Sequence, residues 1–392
     1  MASPIQILPL STVFQILLLT LLISIKSLAS SPERKTPALF IFGDSTVDVG
    51  NNNYIDTIAG NRANLPPYGQ SSFFNKPTGR FSDGRIAVDF IAEYAKLPII
   101  PPFKQPSAKF INGVNFASGG AGVLPETYRG IVIDFPTQLE QFNTVVSSLS
   151  AELGDAEARE LIETAVYFIS IGSNDYLSYL GSPQMLEVFT PEDIVGMVIG
   201  NLSESIQGLY EKGARKFGFL SLCPLGCLPA LRAANPKADG SCFDDVSELA
   251  LAHNNALYGV LLSFGHILTE FKYAFSSGLY SWLHEVIHNP AKSGFKDGIN
   301  ACCGSGPYGG VYSCGGNKEV SDYEVCNSAE DFVWWDSFHG TEKLAKKIAD
   351  MLWDGPQTSI GPYNLKGLFF NNEKSRVEDI VDAKENLEAF AL

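Results

Sequence analysis

The sequence predicts an α/β fold, a three-layer α/β/α sandwich whose central, mostly parallel sheet has about five strands. First, short apolar runs typical of buried strands alternate along the chain with longer segments of helical periodicity. Such alternation favours parallel pairing of the strands through right-handed crossovers. Second, the chain has no internal repeat and no linker that would divide it. We therefore expect one domain over residues 30–392.

The predicted strands are short and mostly apolar, which indicates burial on both faces of a sheet. The first contains the run ALFIF, and the third reads AVYFISI. The fifth begins directly after a long predicted helix. In chain order the strands are expected at residues 38–42, 113–117, 165–171, 216–222 and 272–275.

The predicted helices lie between and after these strands and carry apolar residues at helical spacing. The first stops before Pro98, and the fourth opens at Pro191, because a first helical turn accepts proline. They are expected at residues 88–97, 139–149, 156–163, 191–212, 247–271 and 344–353. The charged tail, residues 371–392, is expected to be loose or a surface helix.

Composition excludes several classes of protein. With 392 residues, 45% of them hydrophobic, the chain can bury a large core, and a disordered or collagen-like chain is excluded. Lys and Arg number 28 against 43 Asp and Glu, a net charge of −15. Phosphate contacts need clustered basic residues, so this charge argues against a nucleic-acid partner or an anionic membrane surface.

The N-terminus has the pattern of a secretory signal peptide. Residues 13–25 read VFQILLLTLLISI, which is shorter than the roughly 20 residues of a membrane span. Ser27 and Ala29 then occupy the −3 and −1 positions of a cut after Ala29. We predict that residues 1–29 are a signal peptide, that the protein is secreted to the extracellular space or cell wall, and that it has no integral membrane segment. An uncleaved signal anchor is the alternative, since no Lys or Arg precedes the apolar run.

A secreted chain is expected to pair its cysteines as disulfides. Zinc binding is disfavoured because the usual paired Cys-x-x-Cys spacing is missing from the Gly-rich loop at 302–326. Adjacent Cys302 and Cys303 cannot easily bond each other, so each is expected to pair with Cys314 or Cys326. Pairing of Cys227 with Cys242 would close a second loop. The cysteine then left over is Cys223, expected to be a buried free thiol.

Four polar segments are expected to meet at one rim of the sheet. Ligands bind at the carboxyl ends of the strands of an open parallel sheet. The segments that follow the first three strands are GDS at 43–45, ASGGAG at 117–122 and GSND at 172–175, and DSFH lies at 336–339. Each alone is common turn or capping chemistry. Together they supply a nucleophile, a base, a carboxylate and hydrogen-bond donors, the groups that acyl transfer through an oxyanion requires.

These segments resemble the plant form of the GDSL esterase/lipase family, in the SGNH hydrolase group. The resemblance extends from residue 37 to about residue 368 and rests on the segments IFGDSTVDVGNNN, GRFSDGR, VNFASGGAG, ISIGSNDY, CPLGCLPA, ACCGSGPYGG and WWDSFHGTEK. It implies an SGNH, flavodoxin-like sheet. It also implies a secreted serine carboxylic-ester hydrolase that acts on ester or lipid substrates through an acyl-enzyme, without metal or cofactor. We expect a monomer whose partner is the small-molecule substrate.

The resemblance also implies roles for individual residues. Ser45 matches the nucleophile, and Asp336 and His339 match the carboxylate and the base. The backbone N–H groups of Ser45 and Gly120 and the side-chain amide of Asn174 match the oxyanion donors.

Three positions near the site differ from the family pattern or leave a choice open. Gly119 is an alternative to Gly120 as oxyanion donor. Thr46 stands where the GDSL motif has Leu, a position at which no chemistry is expected. Gly340 stands where Pro commonly follows the histidine, which affects the rate more than the reaction type.

Other functions were weighed against ester hydrolysis. The same site in an acyltransferase would pass the acyl group to another alcohol, and a non-catalytic defence or binding protein could keep the fold. His284, Glu285 and His288 spell the H-E-x-x-H zinc-protease motif. Asn289 and Pro290 end that helix and no third ligand follows, so a solvated helix face is the simpler interpretation.

Further residues outside the four segments carry separate expectations. Asn201 begins an N-x-S sequon, and we expect a glycan there. His253 and His266 are expected to be structural. Five aromatic residues could line an acyl pocket or pack in the core: Phe116, Tyr176, Tyr179, Trp334 and Trp335.

We predict cleavage near Ala29. N-terminal sequencing of the secreted protein should then begin at Ser30 or within a few residues of it, because Ser27 and Ala29 provide the small side chains that the peptidase accepts. Secreted protein that still carries Met1 would contradict the prediction.

Overall fold

The computed structural model describes residues 36–370 apart from residues 72, 317 and 319. The predicted signal peptide and the charged tail at 371–392 lie outside the described residues. Within them, no helix is long and apolar enough to cross a membrane.

The central sheet has six strands in the order β10-β5-β4-β3-β1-β2. Strands β1 to β5 pair in parallel, which confirms the predicted α/β class. Only the two-residue edge strand β10 of this sheet runs antiparallel. Two further two-stranded sheets, β6 with β9 and β7 with β8, lie in the region of the Cys-rich loop. The strands are β1 (Leu39–Gly43), β2 (Gly113–Asn115), β3 (Val166–Ser170), β4 (Lys216–Phe219), β5 (Lys272–Phe275), β6 (Asp297–Ala301), β7 (Cys303–Gly304), β8 (Glu324–Val325), β9 (Phe332–Trp334) and β10 (Gly361–Pro362).

Eleven α-helices lie within the described residues, and six of them match the predicted ones with shifted ends. The other five have only six to ten residues each. The helices are α1 (Ala87–Tyr94), α2 (Phe135–Leu153), α3 (Asp155–Thr164), α4 (Ser173–Leu180), α5 (Pro183–Val188), α6 (Pro191–Glu211), α7 (Pro229–Ala234), α8 (Asp244–Ile267), α9 (Leu279–His288), α10 (Glu342–Asp354) and α11 (Leu365–Phe370).

Side chains of β1 alternate between two hydrophobic cores, as the pleat of a strand requires. Phe40 and Phe42 pack in one core with residues of α2, α6 and α8. Leu39 and Ile41 pack in the other core with residues of α1, α10 and α11. All four are completely buried, so helices cover both faces of the sheet and the three-layer architecture follows.

The GRFSDGR segment is structural and joins the loop after β1 to two helices. Arg80 donates from Nε and Nη2 to the two carboxylate oxygens of Asp89 in α1, both at 2.7 Å. Both side chains are at least 95% buried. Asp83 Oδ1 accepts the backbone N–H of Glu342, the first residue of α10, at 2.7 Å. The segment therefore fixes the start of the helix that directly follows the 336–339 turn.

We predict that Asp89→Ala destabilises the fold by about 3–5 kcal/mol, because it leaves the buried Arg80 guanidinium without its counter-charge. Urea unfolding measures the loss. The matched control is Glu126→Ala, which breaks an exposed ion pair with Arg129 and should change stability by less than about 1 kcal/mol. Equal effects of the two substitutions would contradict the prediction.

Candidate active site

Ser45 lies in a tight turn at the carboxyl end of β1. Gly43 has φ +152°, and a Cβ there would collide with the carbonyl oxygen of Ser170 at the end of β3. The buried Asp44 carboxylate accepts the Thr46 N–H at 2.9 Å and the Thr46 hydroxyl at 2.7 Å. Thr46 Oγ1 also lies 2.8 Å from Ser170 Oγ. The threonine that replaces leucine thus helps to hold the turn that presents Ser45.

Ser45, His339 and Asp336 form one chain of hydrogen bonds. Ser45 Oγ lies 2.8 Å from His339 Nε2, and His339 Nδ1 lies 2.7 Å from Asp336 Oδ1. Asp336 is completely buried, whereas Ser45 is partly exposed. The serine end of this hydrogen-bond series therefore faces solvent, and the carboxylate end lies inside the protein.

The spacing of Asp336 and His339 follows from the turn that contains them. Asp336 Oδ1 accepts the backbone N–H groups of Phe338 and His339, both at 2.9 Å, and its Oδ2 accepts the hydroxyl of Tyr68 at 2.6 Å. Burial alone would raise the pKa of Asp336. The neighbouring His339, the charge of Lys318 and the hydrogen bond from Tyr68 outweigh it and lower the pKa to about 2.

The backbone N–H groups of Gly119 and Gly120 differ in whether they are already hydrogen-bonded. The Gly119 N–H donates to the buried Asp48 carboxylate at 3.0 Å, so it is already bonded. The N–H groups of Ser45 and Gly120 have no acceptor within the part of the chain that the structure describes. Gly120 has φ +89°, a conformation that favours glycine.

Asn174 and Asp175 hold the segment after β3 to the Gly-rich segment through three hydrogen bonds. Asn174 Nδ2 donates one hydrogen to the Ala121 carbonyl oxygen at 3.0 Å, which leaves its second hydrogen for another acceptor. The next residue, Asp175, accepts from the N–H groups of Val123 and Leu124 at 2.8 and 3.0 Å. Burial raises the pKa of Asp175 to about 6. Asp175 thus fixes the segment after β3 against the segment after β2.

The cysteines form three disulfides and leave one thiol. The remaining thiol is Cys223, as expected, but the residue is half-buried and not fully buried. Burial raises the pKa of this thiol to about 12, so it stays protonated at neutral pH. The sequence left open which of Cys314 and Cys326 pairs with Cys302, and in the structure it is Cys326. The pairs are Cys227–Cys242, Cys302–Cys326 and Cys303–Cys314.

The H-E-x-x-H motif lies on α9, away from any third ligand. The rings of His284 and His288 stack at 4.1 Å, and Glu285 pairs with Lys292 at 2.8 Å on the exposed face of the helix. Within the described residues, no group of three or more His, Cys, Asp or Glu side chains is placed to hold a metal ion. The motif is a solvated helix face here.

The other residues singled out in the sequence have structural positions. His253 lies 2.8 Å from the Tyr176 hydroxyl, and burial lowers its pKa to about 3. His266 is exposed near the end of α8, and Asn201 is exposed on α6. The five aromatic residues considered for an acyl pocket are at least 97% buried and belong to the core. The ring beside His339 is instead Phe81, with ring centroids 4.7 Å apart.

Four residues that support the site were not singled out in the sequence: Asp48, Tyr68, Asp175 and Lys318. Asp48 and Asp175 lie inside the IFGDSTVDVG and ISIGSNDY segments, so a buried structural carboxylate there could have been considered. Tyr68 and Lys318 carry no comparable signal, because their partners are about 250 positions away in the chain.

Known proteins are similar to this chain over most of its length. The family model described as GDSL-like Lipase/Acylhydrolase matches residues 39–352. The chain is 47% identical over 343 residues to GDSL esterase/lipase 5 of Arabidopsis thaliana, covering 86% of this chain and 88% of the relative. It is 46% identical to GDSL esterase/lipase 1 of the same plant, covering 85% and 90%. With the GDSL lipase of Tanacetum cinerariifolium the identity is 44%, covering 86% and 88%.

We predict that EDTA leaves ester hydrolysis unchanged and that the double variant His284→Ala, His288→Ala keeps it. The side chains of Ser45, His339 and Asp336 bond to one another without a metal ligand between them, and His284 and His288 stand on a separate exposed helix face. Hydrolysis of a p-nitrophenyl ester measures both. Activity that is lost on chelation and restored by zinc would contradict this prediction.

Proposed function

The chain belongs to the GDSL-like lipase/acylhydrolase family and is a carboxylic ester hydrolase, and we propose that Ser45, His339 and Asp336 are its catalytic triad. The observation that carries this proposal is the continuous chain of hydrogen bonds from Ser45 Oγ through the imidazole to Asp336, at 2.8 and 2.7 Å. A nucleophile, a base and an orienting carboxylate in this order are what acyl transfer requires.

In the proposed acylation step, His339 Nε2 takes the proton of Ser45 Oγ as the oxygen attacks the ester carbonyl. Asp336 keeps the other ring nitrogen protonated and stabilises the imidazolium that forms. The C–O bond to the alcohol then breaks, and the alcohol leaves with the proton from His339. The nucleophile, the base and the orienting carboxylate of this step are all side chains of this protein, and we propose that the step needs no metal or cofactor.

The second half of the reaction uses the same residues. Water loses a proton to His339 as it attacks the acyl-enzyme, the ester bond to Ser45 breaks, and Ser45 Oγ recovers the proton. We propose that water is the acceptor in preference to another alcohol. Hydrolysis measured with and without an added alcohol tests this: an acyl-transfer product that dominates at modest alcohol concentration would contradict it.

We propose that the oxyanion of each tetrahedral intermediate is held by the N–H groups of Ser45 and Gly120 and by the Asn174 amide. The two backbone N–H groups have no acceptor within the described residues, and the amide is oriented by the Ala121 carbonyl. Donors that are held in place before the charge develops stabilise the transition state without reorganisation. The Gly119 N–H does not join them, because it bonds Asp48.

We propose that the protein is a secreted monomer whose substrate is a small-molecule ester or lipid. Three disulfides support an oxidising compartment such as the extracellular space or the cell wall. The relatives' names, esterase/lipase and lipase, support ester or lipid substrates. A chain-length series of p-nitrophenyl esters, compared by kcat/KM, defines the acyl group. Gel filtration defines the oligomeric state.

We predict a ranking of rate losses at the site. Ser45→Ala and His339→Ala should each lower kcat roughly 10⁴–10⁶-fold, because both act in the same proton transfer and attack. Asn174→Ala should lower it about 10²–10³-fold, since two backbone donors remain. Asp336→Asn should fall between these, since nucleophile and base are kept.

The measurement is kcat/KM on one simple ester for each variant, with circular dichroism as the control for folding. The double variant Ser45→Ala, His339→Ala should lose little more than either single one, because triad members act as a unit. A folded Ser45→Ala protein that keeps more than about a tenth of the activity would overturn the assignment.

A further inference from the structure

Two side chains continue the hydrogen-bond chain beyond Asp336. The Tyr68 hydroxyl donates to Asp336 Oδ2 at 2.6 Å, and Lys318 Nζ donates to the same hydroxyl at 2.7 Å. Tyr68 is 1% exposed, so its hydroxyl has no access to bulk water. The unbroken series therefore runs from Ser45 through the imidazole and the carboxylate to an ammonium group.

Lys318 is half-buried, and its ammonium lies beside three aromatic rings. It lies 3.8 Å from the ring centroid of Tyr312, 4.7 Å from that of Tyr68 and 5.6 Å from that of Phe81. Ring faces attract a cation at these distances. Burial lowers the pKa of Lys318 to about 8, while the charge of Asp336 opposes that shift.

Disulfides hold the loop that contains Lys318. Lys318 lies between Cys314 and Cys326, which bond Cys303 and Cys302. The backbone N–H groups of Cys302 and Cys303 donate to the carbonyls of residues 334 and 335, directly before Asp336. Tyr68 and three of these cysteines belong to one small hydrophobic cluster. The Cys-rich loop and the carboxylate are thus parts of one packed unit.

We propose that Tyr68 and Lys318 are positioning residues for the reaction, which hold the Asp336 carboxylate in the orientation that directs Oδ1 at the imidazole. Asp336 Oδ1 accepts hydrogen bonds from His339 and two backbone N–H groups. Without Tyr68, Oδ2 would have no partner within the described residues, and the carboxylate could turn about its Cβ–Cγ bond. Tyr68 bonds that atom, and Lys318 polarises the hydroxyl that does so. The inference rests on the proposed triad.

The proposal gives the Cys-rich loop a role in the reaction. The loop would deliver a positive charge to the inner end of the triad, and its disulfides would fix the distance. A purely structural role for Tyr68 makes a different prediction, because loss of one buried hydroxyl would then lower stability and leave the rate unchanged.

The test compares Tyr68→Phe, Lys318→Met and the double variant with Tyr167→Phe. The control loses an equally buried hydroxyl, which donates to the Ile162 carbonyl at 2.9 Å, on a strand residue outside the triad. We expect Tyr68→Phe to lower kcat about tenfold with KM unchanged, since it removes a hydrogen bond to a charged group. Lys318→Met should lower kcat by a smaller factor, and the double variant should match Tyr68→Phe alone, because the two act in series.

The pH profile of kcat/KM is the second readout. Asp336 and Asp44 are the carboxylates that face His339, and Lys318 faces Asp336, Tyr68 and Tyr312. Without the Tyr68 donor, more negative charge remains on Asp336 beside the imidazole, which favours the protonated base. The acid limb should therefore move to higher pH in Tyr68→Phe and Lys318→Met and stay in place in Tyr167→Phe.

The outcomes are separable. Tyr68→Phe with unchanged kcat, an unchanged acid limb and a loss of Tm equal to that of Tyr167→Phe would overturn the inference. If Tyr68→Phe does not fold, Lys318→Met decides: unchanged kcat and an unchanged acid limb would again overturn it. Active Ser45→Ala would instead contradict the triad itself, whereas inactive Ser45→Ala with fully active Tyr68→Phe contradicts this inference alone.

Discussion

The buried negative charge of Asp336 is the constraint around which this site is arranged. A carboxylate without access to water is very costly unless donors surround it. The His339 ring, two backbone N–H groups and the Tyr68 hydroxyl supply those donors. The turn at 336–339, the loop that contains Tyr68 and the Cys-rich loop therefore have to meet at this point. The imidazole gains its orientation toward Ser45 from the same arrangement.

Buried carboxylates also hold the other side of the site. Asp44 fixes the turn that presents Ser45, Asp48 bonds Gly119, and Asp175 bonds the backbone of the Gly-rich segment. Asp48 and Asp175 each accept a hydrogen bond from a segment of the chain other than their own. A reactive group must be held to within a fraction of an ångström, and loops from distant parts of a chain achieve this only when such contacts lock them together. Burying these carboxylates costs free energy, and the hydrogen bonds that offset this cost are the contacts that position the site.

The sequence allowed the central sheet and the four site segments to be predicted, and the reasons are local. Residues 38–42 and 165–171 are apolar throughout or nearly so, and a parallel sheet with helices on both faces requires such strands. Ser45 and Asn174 lie in short motifs directly after these strands, and His339 lies in a short motif just before a predicted helix. Strand β10 has two residues, one of them proline, and no apolar run marks it. Tyr68 acquires its role from Asp336, 268 positions away, which no pattern of neighbouring residues encodes. Conversely, His284 and His288 have the spacing of a zinc motif but stand on an exposed helix face, and the described part of the chain places no third ligand beside them.

Covalent labelling with a fluorophosphonate tests the central claim most directly, because such a probe reacts with a serine only where a base and oxyanion donors activate it. The labelled protein is digested, and the modified residue is identified by mass spectrometry while the remaining esterase activity is followed. We predict one adduct per chain, on Ser45, which forms in proportion to the loss of activity and does not form in His339→Ala. Complete inhibition with the adduct on another residue, or an active enzyme that takes up no label, would contradict the account.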